Sequence, residues 1–319
     1  MSDRERPWAE SRPLGPRALS VTGLGLGCAA IGSLFTTVTE EDAGATVDAA
    51  WEAGIRYFDV APLYGHGLSE RRLGRALHGR PRDELVLSTK VGRLLRPSAT
   101  SEASIFAEPG DLTPQFDFSR DGILRSLEES LERLGTDRID VVLVHDPDDH
   151  EEQARREAFP TLLALRDEGV VAAVGCGMNQ AAMLERFLRT VDLDCVLLAG
   201  RYSLLDRSGA ALLDHCAEQQ VGVVLGGIFN SGILVDPDDQ PRYDYGAAPD
   251  DLIARARRMR SSCHTAGVAL PAAALQFGAR HPAVTTVLIG ARSPSEVRAD
   301  LAFATAPIPS ALWSALEAL

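Results

Sequence analysis

YFDVAPLYGHGLSE, residues 57–70, decides how this chain is read. It opens as a buried strand at Tyr57-Phe58 and places a carboxylate, Asp59, where that strand should end. Tyr64 follows five residues later, then Gly65 and Gly67, and a helix starts at Ser69-Glu70. A buried charge without a partner is very costly. An acid at the end of a core strand therefore calls for a partner and a purpose.

The same pattern recurs outward from this stretch. The apolar runs are VTGLGLGCAA, RYFDVA, ELVLSTKV, IDVVLVHD, VVAAVGCG, LDCVLLAG, VGVVLGG and VTTVLIG, eight in all. Amphipathic stretches such as EDAGATVDAAWEAG and SRDGILRSLEESLERLG lie between them. Continuous apolar strands alternating with helices imply a parallel sheet covered by helices. Eight such units predict an α/β chain folded as a (β/α)8 TIM barrel, one domain over residues 1–319. Residues 1–15 are expected to be a flexible arm. The competing open, doubly wound sheet lacks its fingerprint, because GLGLGC does not continue as GxGxxG into a helix. Two long polar loops, roughly 93–119 and 236–250, fall where barrels build substrate sites.

Lys90 then ends the third strand, in LVLSTK, and His145 the fourth, in VVLVHD. Asp59, Lys90 and His145 thus close three consecutive strands at the face where barrel active sites form, with Tyr64 on the adjoining turn. Singly, each has a plainer reading: a turn aspartate, a solvated lysine, a structural histidine. Together they make an acid–base centre. An ammonium beside a phenol favours the phenolate, and a carboxylate holds the lysine. A histidine can donate to a substrate oxygen or relay a proton. Such a tyrosine gives or takes a proton at an alcohol or carbonyl oxygen, and a hydride carrier completes an oxidoreductase. HDPDDH offers a rival metal reading through His145, Asp146, Asp148, Asp149 and His150. It matches no established ligand spacing, and Asp148 or Asp149 serves equally well as a helix cap, so no metal is assigned.

Net charge of -13 argues against a nucleic-acid partner. No apolar run reaches the length of a membrane span, and the N-terminus has no signal-peptide core. Five isolated cysteines without a CxxC pair suit the reducing cytoplasm. The sequence does not set an oligomeric state.

The motifs FDVAPLYGHGLSERRLGRAL, STKVGR and RIDVVLVHDPDD resemble those of the aldo-keto reductase family, and the likeness runs from RPLGPRALSVTGLGLGCAAIG to IGARSPSEVRADL. DPDDH, GMNQ, AGRYSLLD and FNSGIL resemble its bacterial branch of L-fucose, D-threo-aldose and galactose 1-dehydrogenases, to which pyridoxal 4-dehydrogenase is similar. The resemblance implies Tyr64 as general acid–base, Lys90 lowering its pKa, Asp59 holding Lys90, and His145 orienting the substrate oxygen.

It further implies a nicotinamide dinucleotide held by Gly27, Cys28, Met178 and Asn179. Phe229, Asn230, Ser231 and Gly232 would meet the pyrophosphate. Gly290, Arg292, Ser293, Glu296 and Asp300 would meet the adenosine end. Several positions depart from the family pattern: Met178 replaces a serine, Ala199 a glutamine, and Asp300 an asparagine. Near Gly226 a stacking aromatic is missing, for which Phe229 stands in. Glu296 occupies a position often held by an arginine on the 2'-phosphate, and a carboxylate repels that phosphate, which favours NAD over NADP. Arg292 argues the other way. Ser293 and Pro294 also read as an ordinary N-cap and N1 pair.

The implied activity is oxidation of a cyclic hemiacetal, a sugar at C1 or pyridoxal, to a lactone. Arg93, Phe116, Phe118, Arg201 and Tyr202 are pocket candidates, with Cys28. Alternatives are an NADPH-dependent aldehyde or ketone reductase, a cofactor-binding regulatory subunit, and a metal-dependent hydrolase.

Overall fold

The computed structural model describes residues 7–97, 104–239 and 241–319. Eight parallel strands close into a barrel in chain order. They are β1 (Leu24–Gly27), β2 (Tyr57–Asp59), β3 (Val86–Val91), β4 (Val141–His145), β5 (Ala173–Met178), β6 (Cys195–Ala199), β7 (Gly222–Gly226) and β8 (Val284–Ile289). Each of the eight apolar runs supplies one strand.

Side chains alternate between the barrel interior and the helix layer. The interior holds a small cluster that includes Tyr57, Val141, Leu143, Leu197, Val224 and Leu288. The larger core lies between strands and helices, and includes Phe58, Leu87, Val142 and Val144. The parity matters for the site. Tyr57 faces inward, so Asp59 does too. Val86 edges the inner cluster, so Ser88 and Lys90 share its face. Val141 and Leu143 face inward, and so does His145. Register places Asp59 opposite Ser88, Lys90 opposite Leu143 and His145 opposite Gly177.

The expected arm needs correction from Pro7 onward. Pro7–Ala9 is a 3-10 turn, and Ser11–Leu14 pairs antiparallel with Leu19–Thr22. Leu14 and Val21 bury into the interior cluster, so apolar burial holds this hairpin against the barrel. Residues 1–6 lie outside the described residues. The loop expected at 93–119 is also more regular than its polarity implies. Arg93–Pro97 and Leu112–Phe116 form an antiparallel ribbon. The second long loop carries a two-residue pairing of Arg242–Tyr243 with Gly246–Ala247. Among the described residues no helix is long and apolar enough to cross a membrane, and all five cysteines are free and buried.

Candidate active site

Lys90 organises the mouth of the barrel. Its ammonium donates to Asp59 Oδ2 at 2.7 Å, to the Val60 carbonyl at 3.0 Å and to Tyr64 Oη at 3.0 Å. Three donors thus meet three acceptors, which is how a fully buried lysine is tolerated. Ser88 donates to Asp59 Oδ1 at 2.8 Å and holds the other carboxylate oxygen. Ser88 was not singled out from sequence, although it lies two residues before Lys90 on the same inward face. Gly177 lies beside the lysine stem, where an added Cβ would make ordinary contact with Lys90 Cε at 3.5 Å.

Tyr64 is delivered by a turn. Its N–H donates to the Ala61 carbonyl at 3.0 Å, and its carbonyl accepts from Ser69 N at 3.2 Å. Gly65 has φ +58, and a Cβ there would lie 2.5 Å from the Gly32 carbonyl oxygen, so only glycine fits this approach. The His145 ring meets Tyr64 edge-on, with centroids 6.1 Å apart. Phe106 flanks Tyr64 at 6.2 Å. Asp59, Tyr64, Lys90 and His145, separated by up to 86 residues in the chain (145 minus 59), form one cluster.

The electrostatics set burial against the effect of Lys90. Burial pushes the Tyr64 phenol above its ordinary value, and Lys90 opposes this without overcoming it. Burial also disfavours the charged Lys90, but Asp59 and Tyr64 together prevail and hold it above the usual lysine range. His145 is driven well below its ordinary value by burial, then by the charges of Arg93 and Lys90. The resting site is therefore a neutral phenol, a charged lysine and a neutral imidazole.

The pocket candidates separate. Arg93 and Phe116 sit together at the mouth, with the guanidinium 4.6 Å from the ring centroid. Phe118 is fully buried and only supports Phe116, at 5.9 Å. Cys28 is also fully buried, and its side chain belongs to the core between strands and helices, so its thiol is packing. Tyr202 is drawn away to pack on Phe277 and His281, at 5.2 and 5.5 Å. Arg201 pairs with Asp244 at 2.9 Å. In the HDPDDH run, His150 lies against Phe116 and Phe118. Asp148 and Asp149 make no side-chain cap bond. Among the described residues no three His, Cys, Asp or Glu side chains gather as a metal set.

The cofactor candidates fall at or after the ends of β1, β5, β7 and β8. Met178 belongs to the core, so its side chain is packing. Asn179 donates to Asp244 Oδ1 at 3.3 Å. Asn230 is spent on structure: it donates to the Gly200 carbonyl at 3.0 Å and accepts from Ser203 at 2.5 Å. Ser231 Oγ accepts from Tyr245 N at 3.1 Å. Phe229 is half-buried against both outer clusters. Gly232 and Gly290 have open space where a Cβ would be, and Gly27 is half-buried at the end of β1. Ser293 caps the helix Pro294–Thr305 by accepting from Glu296 N. Arg292 is held by Glu296, with Nη2 to Oε1 at 2.8 Å, and reaches Thr36 at 3.2 Å. Asp300 is buried, and burial followed by the charge of Glu296 pushes it up to about 7. Besides Ser88, sequence reasoning missed Asp244 and Tyr245. They carry the segment between Asn179, Arg201 and Ser231, and no motif marked them.

The open backbone at Gly232 and Gly290, the capped helix start and Arg292 fit a phosphate-bearing dinucleotide lying across β7 and β8. The aldo/keto reductase family model matches residues 23–319. A D-threo-aldose 1-dehydrogenase from a Pseudomonas species is 44% identical over 93% of this chain and 94% of its own length. A pyridoxal 4-dehydrogenase from Microbacterium luteolum is 40% identical over 97% of each. Among solved structures, an aldo-keto reductase from Bacillus halodurans in its holo form superposes with TM-score 0.77, at 28% identity over 97% of this chain and 95% of that one. A buried lysine shared between an aspartate and a tyrosine, at the mouth of an eight-stranded barrel, belongs in that company: this chain is an oxidoreductase of the aldo/keto reductase family.

Proposed function

We propose that this enzyme oxidises a cyclic hemiacetal, an aldopyranose at C1 or pyridoxal, to the lactone with NAD. The observation that carries the reading is Lys90 placed between Asp59 and Tyr64 beside His145. The two relatives of 40% identity or more, named for an aldose and for pyridoxal, support the substrate class.

In this mechanism the anomeric hydroxyl lies between Tyr64 Oη and His145. Neutral His145 donates to or accepts from the substrate oxygen without adding a charge. Tyr64 takes the hydroxyl proton, and Lys90 stabilises the phenolate from which it does so. A bound nicotinamide dinucleotide supplies the hydride acceptor at the substrate carbon. The ring oxygen of a hemiacetal stays attached, so the product is a lactone and no water need attack. In the reverse sense Tyr64 is the proton donor to a carbonyl oxygen.

The sign of the pH dependence follows. Tyr64 rests as a phenol above its ordinary pKa, so the basic form grows with pH. Oxidation should accelerate through the alkaline range, while reduction of a carbonyl should not.

Arg292 supports NAD over NADP. Its guanidinium is neutralised by Glu296 rather than free for a 2'-phosphate. The test is reduction of NAD and NADP by L-fucose, D-arabinose, L-galactose, D-galactose and pyridoxal, in wild type and Tyr64→Phe. Turnover with NAD that the variant loses supports the reading. NADPH-driven aldehyde reduction without hemiacetal oxidation would replace it with the reductase reading. Glu296→Gln should free Arg292 and narrow the preference for NAD.

A further inference from the structure

The reaction as described leaves one charged pair at the mouth without a task. Arg93 Nη2 donates to Asp146 Oδ2 at 2.7 Å. The same carboxylate oxygen lies 3.5 Å from His145 Nε2. Asp146 N donates to the Gly177 carbonyl at 3.1 Å, so the backbone stays tied to β5 one residue past His145. There Asp146 adopts φ +41, a conformation aspartate tolerates better than most residues. The carboxylate therefore stands beside the imidazole.

Arg93 is fixed from behind. It is paired through its backbone with Phe116 at the base of the ribbon, and its guanidinium covers the Phe116 ring. Phe116 rests on fully buried Phe118. The ion pair is mostly buried, with 15% of the Arg93 side chain and 28% of the Asp146 side chain exposed. Among the described residues Asp146 Oδ1 accepts no hydrogen bond, and Arg93 Nε is buried and donates to none. The pair thus retains an unused carboxylate acceptor next to the catalytic histidine, held in place by a guanidinium whose Nε is closed to solvent.

Sugar hydroxyls supply the complement. Each can donate to a carboxylate. The spacing between His145 Nε2 and Asp146 Oδ2 suits two vicinal hydroxyls, one on each partner. Phe116, 49% exposed, offers an apolar edge to the C–H face of a pyranose ring.

We infer that Asp146, held by Arg93, binds the hydroxyl on the carbon next to the reacting one and so selects an aldopyranose over a hemiacetal that lacks it. This rests on the hemiacetal reading and deepens it, committing the site to sugars rather than pyridoxal.

The test compares kcat/KM for L-fucose, its 2-deoxy analogue and 2-hydroxytetrahydropyran, a six-membered hemiacetal with no other hydroxyl. Wild type should favour L-fucose over the other two. Asp146→Ala should lose about 10–100-fold on L-fucose, chiefly in KM, the range expected for a charge-assisted hydrogen bond. Its loss on 2-hydroxytetrahydropyran should be at least tenfold smaller. Asp146→Asn, which keeps the shape, should fall between and guards against a folding defect. Equal losses on all three substrates would mean the pair only anchors the ribbon, and the inference falls while the hemiacetal reading stands. An unchanged KM for L-fucose would overturn it equally. Wild type inert towards every hemiacetal would remove the reading and this inference with it.

Discussion

Two ion pairs are buried at opposite ends of this barrel, and only one of them does chemistry. At the mouth, Lys90 pairs with Asp59 at 2.7 Å. At the base, just before β6, Arg166 pairs with Asp194 at 3.0 Å. Both acids are almost fully buried, so burial of charge does not distinguish them. Their remaining partners do. Asp194 Oδ2 also accepts from Val174 N at 2.8 Å, and Arg166 gives to the carbonyl and carboxylate of Asp192. Every one of those bonds ties chain to chain. Lys90 instead spends its third donor on the phenol of Tyr64, a group whose proton can leave. A buried pair marks a site when one of its bonds ends on something that can react.

Tyr64→Phe should have the largest effect on catalysis. It removes the proton carrier and leaves the pair at the mouth intact, so kcat/KM should fall by about 10³–10⁴-fold, at the upper end of acid–base contributions. The melting temperature should barely move. Residual turnover within tenfold of wild type would place the proton transfer elsewhere.

Lys90→Met and Arg166→Met test the comparison itself. Lys90→Met strands the buried Asp59, a change that costs about 3–5 kcal/mol, whereas Arg166→Met leaves Asp194 a second cation, Arg17 Nε at 3.2 Å. Denaturant unfolding should show a loss for both, the larger for Lys90→Met. Arg166→Met should nevertheless keep wild-type kcat at temperatures where it remains folded, whereas Lys90→Met should lose it. Loss of kcat in both would mean the base and mouth are coupled and the contrast is false.

The mouth was legible from the strand side and much less so from the loop side. Asp59, Lys90 and His145 could be found because strand periodicity and strand ends fix both direction and position. Tyr64 could be found because glycine-bearing turn chemistry surrounds it. Cys28 and Tyr202 share similar strand-end positions, yet one turns into the wall and the other packs outward on Phe277, choices made by tertiary packing. Lys90 lowers the Tyr64 pKa as the nearby ammonium implies, but burial, which a sequence does not show, outweighs it. Asp244 was invisible for another reason: its partners Asn179 and Arg201 lie 65 and 43 residues away and meet it only after the barrel closes.

That residue allows a smaller test. Asp244 holds Asn179 and Arg201 together across the cofactor half of the mouth, with no contact to Tyr64 or Lys90. Asp244→Ala should release both, and the dissociation constant for NAD should change several-fold, consistent with one or two exposed polar contacts. The proton-transfer half should be untouched, so kcat at saturating cofactor should change little. A large fall in kcat would show that the two halves of the mouth are not independent.

The smallest effect is expected at Asp300, a buried carboxylate in the helix after β8 with no answering cation among the described residues. Unlike Asp59 or Asp194, Asp300 meets only the like charge of Glu296 four residues earlier, and its pKa is pushed up to about 7. The folded state therefore holds a proton that the unfolded chain, at about 3.9, has already released. Asp300 supports the fold fully below the unfolded value, and that support is lost as pH rises from about 4 through 7. Asp300→Asn removes the titration, although an amide buried without a partner gives back part of the gain. The variant should thus melt a few degrees above wild type at pH 8, with the difference shrinking towards pH 5, read from paired thermal scans in one buffer series. A gap that stays constant with pH would mean that Asp300 titrates in the fold as it does in the unfolded chain, so that burial does not shift it. A gap that widens towards acid would mean that Asp300 has a cationic partner after all, as Asp59 and Asp194 do.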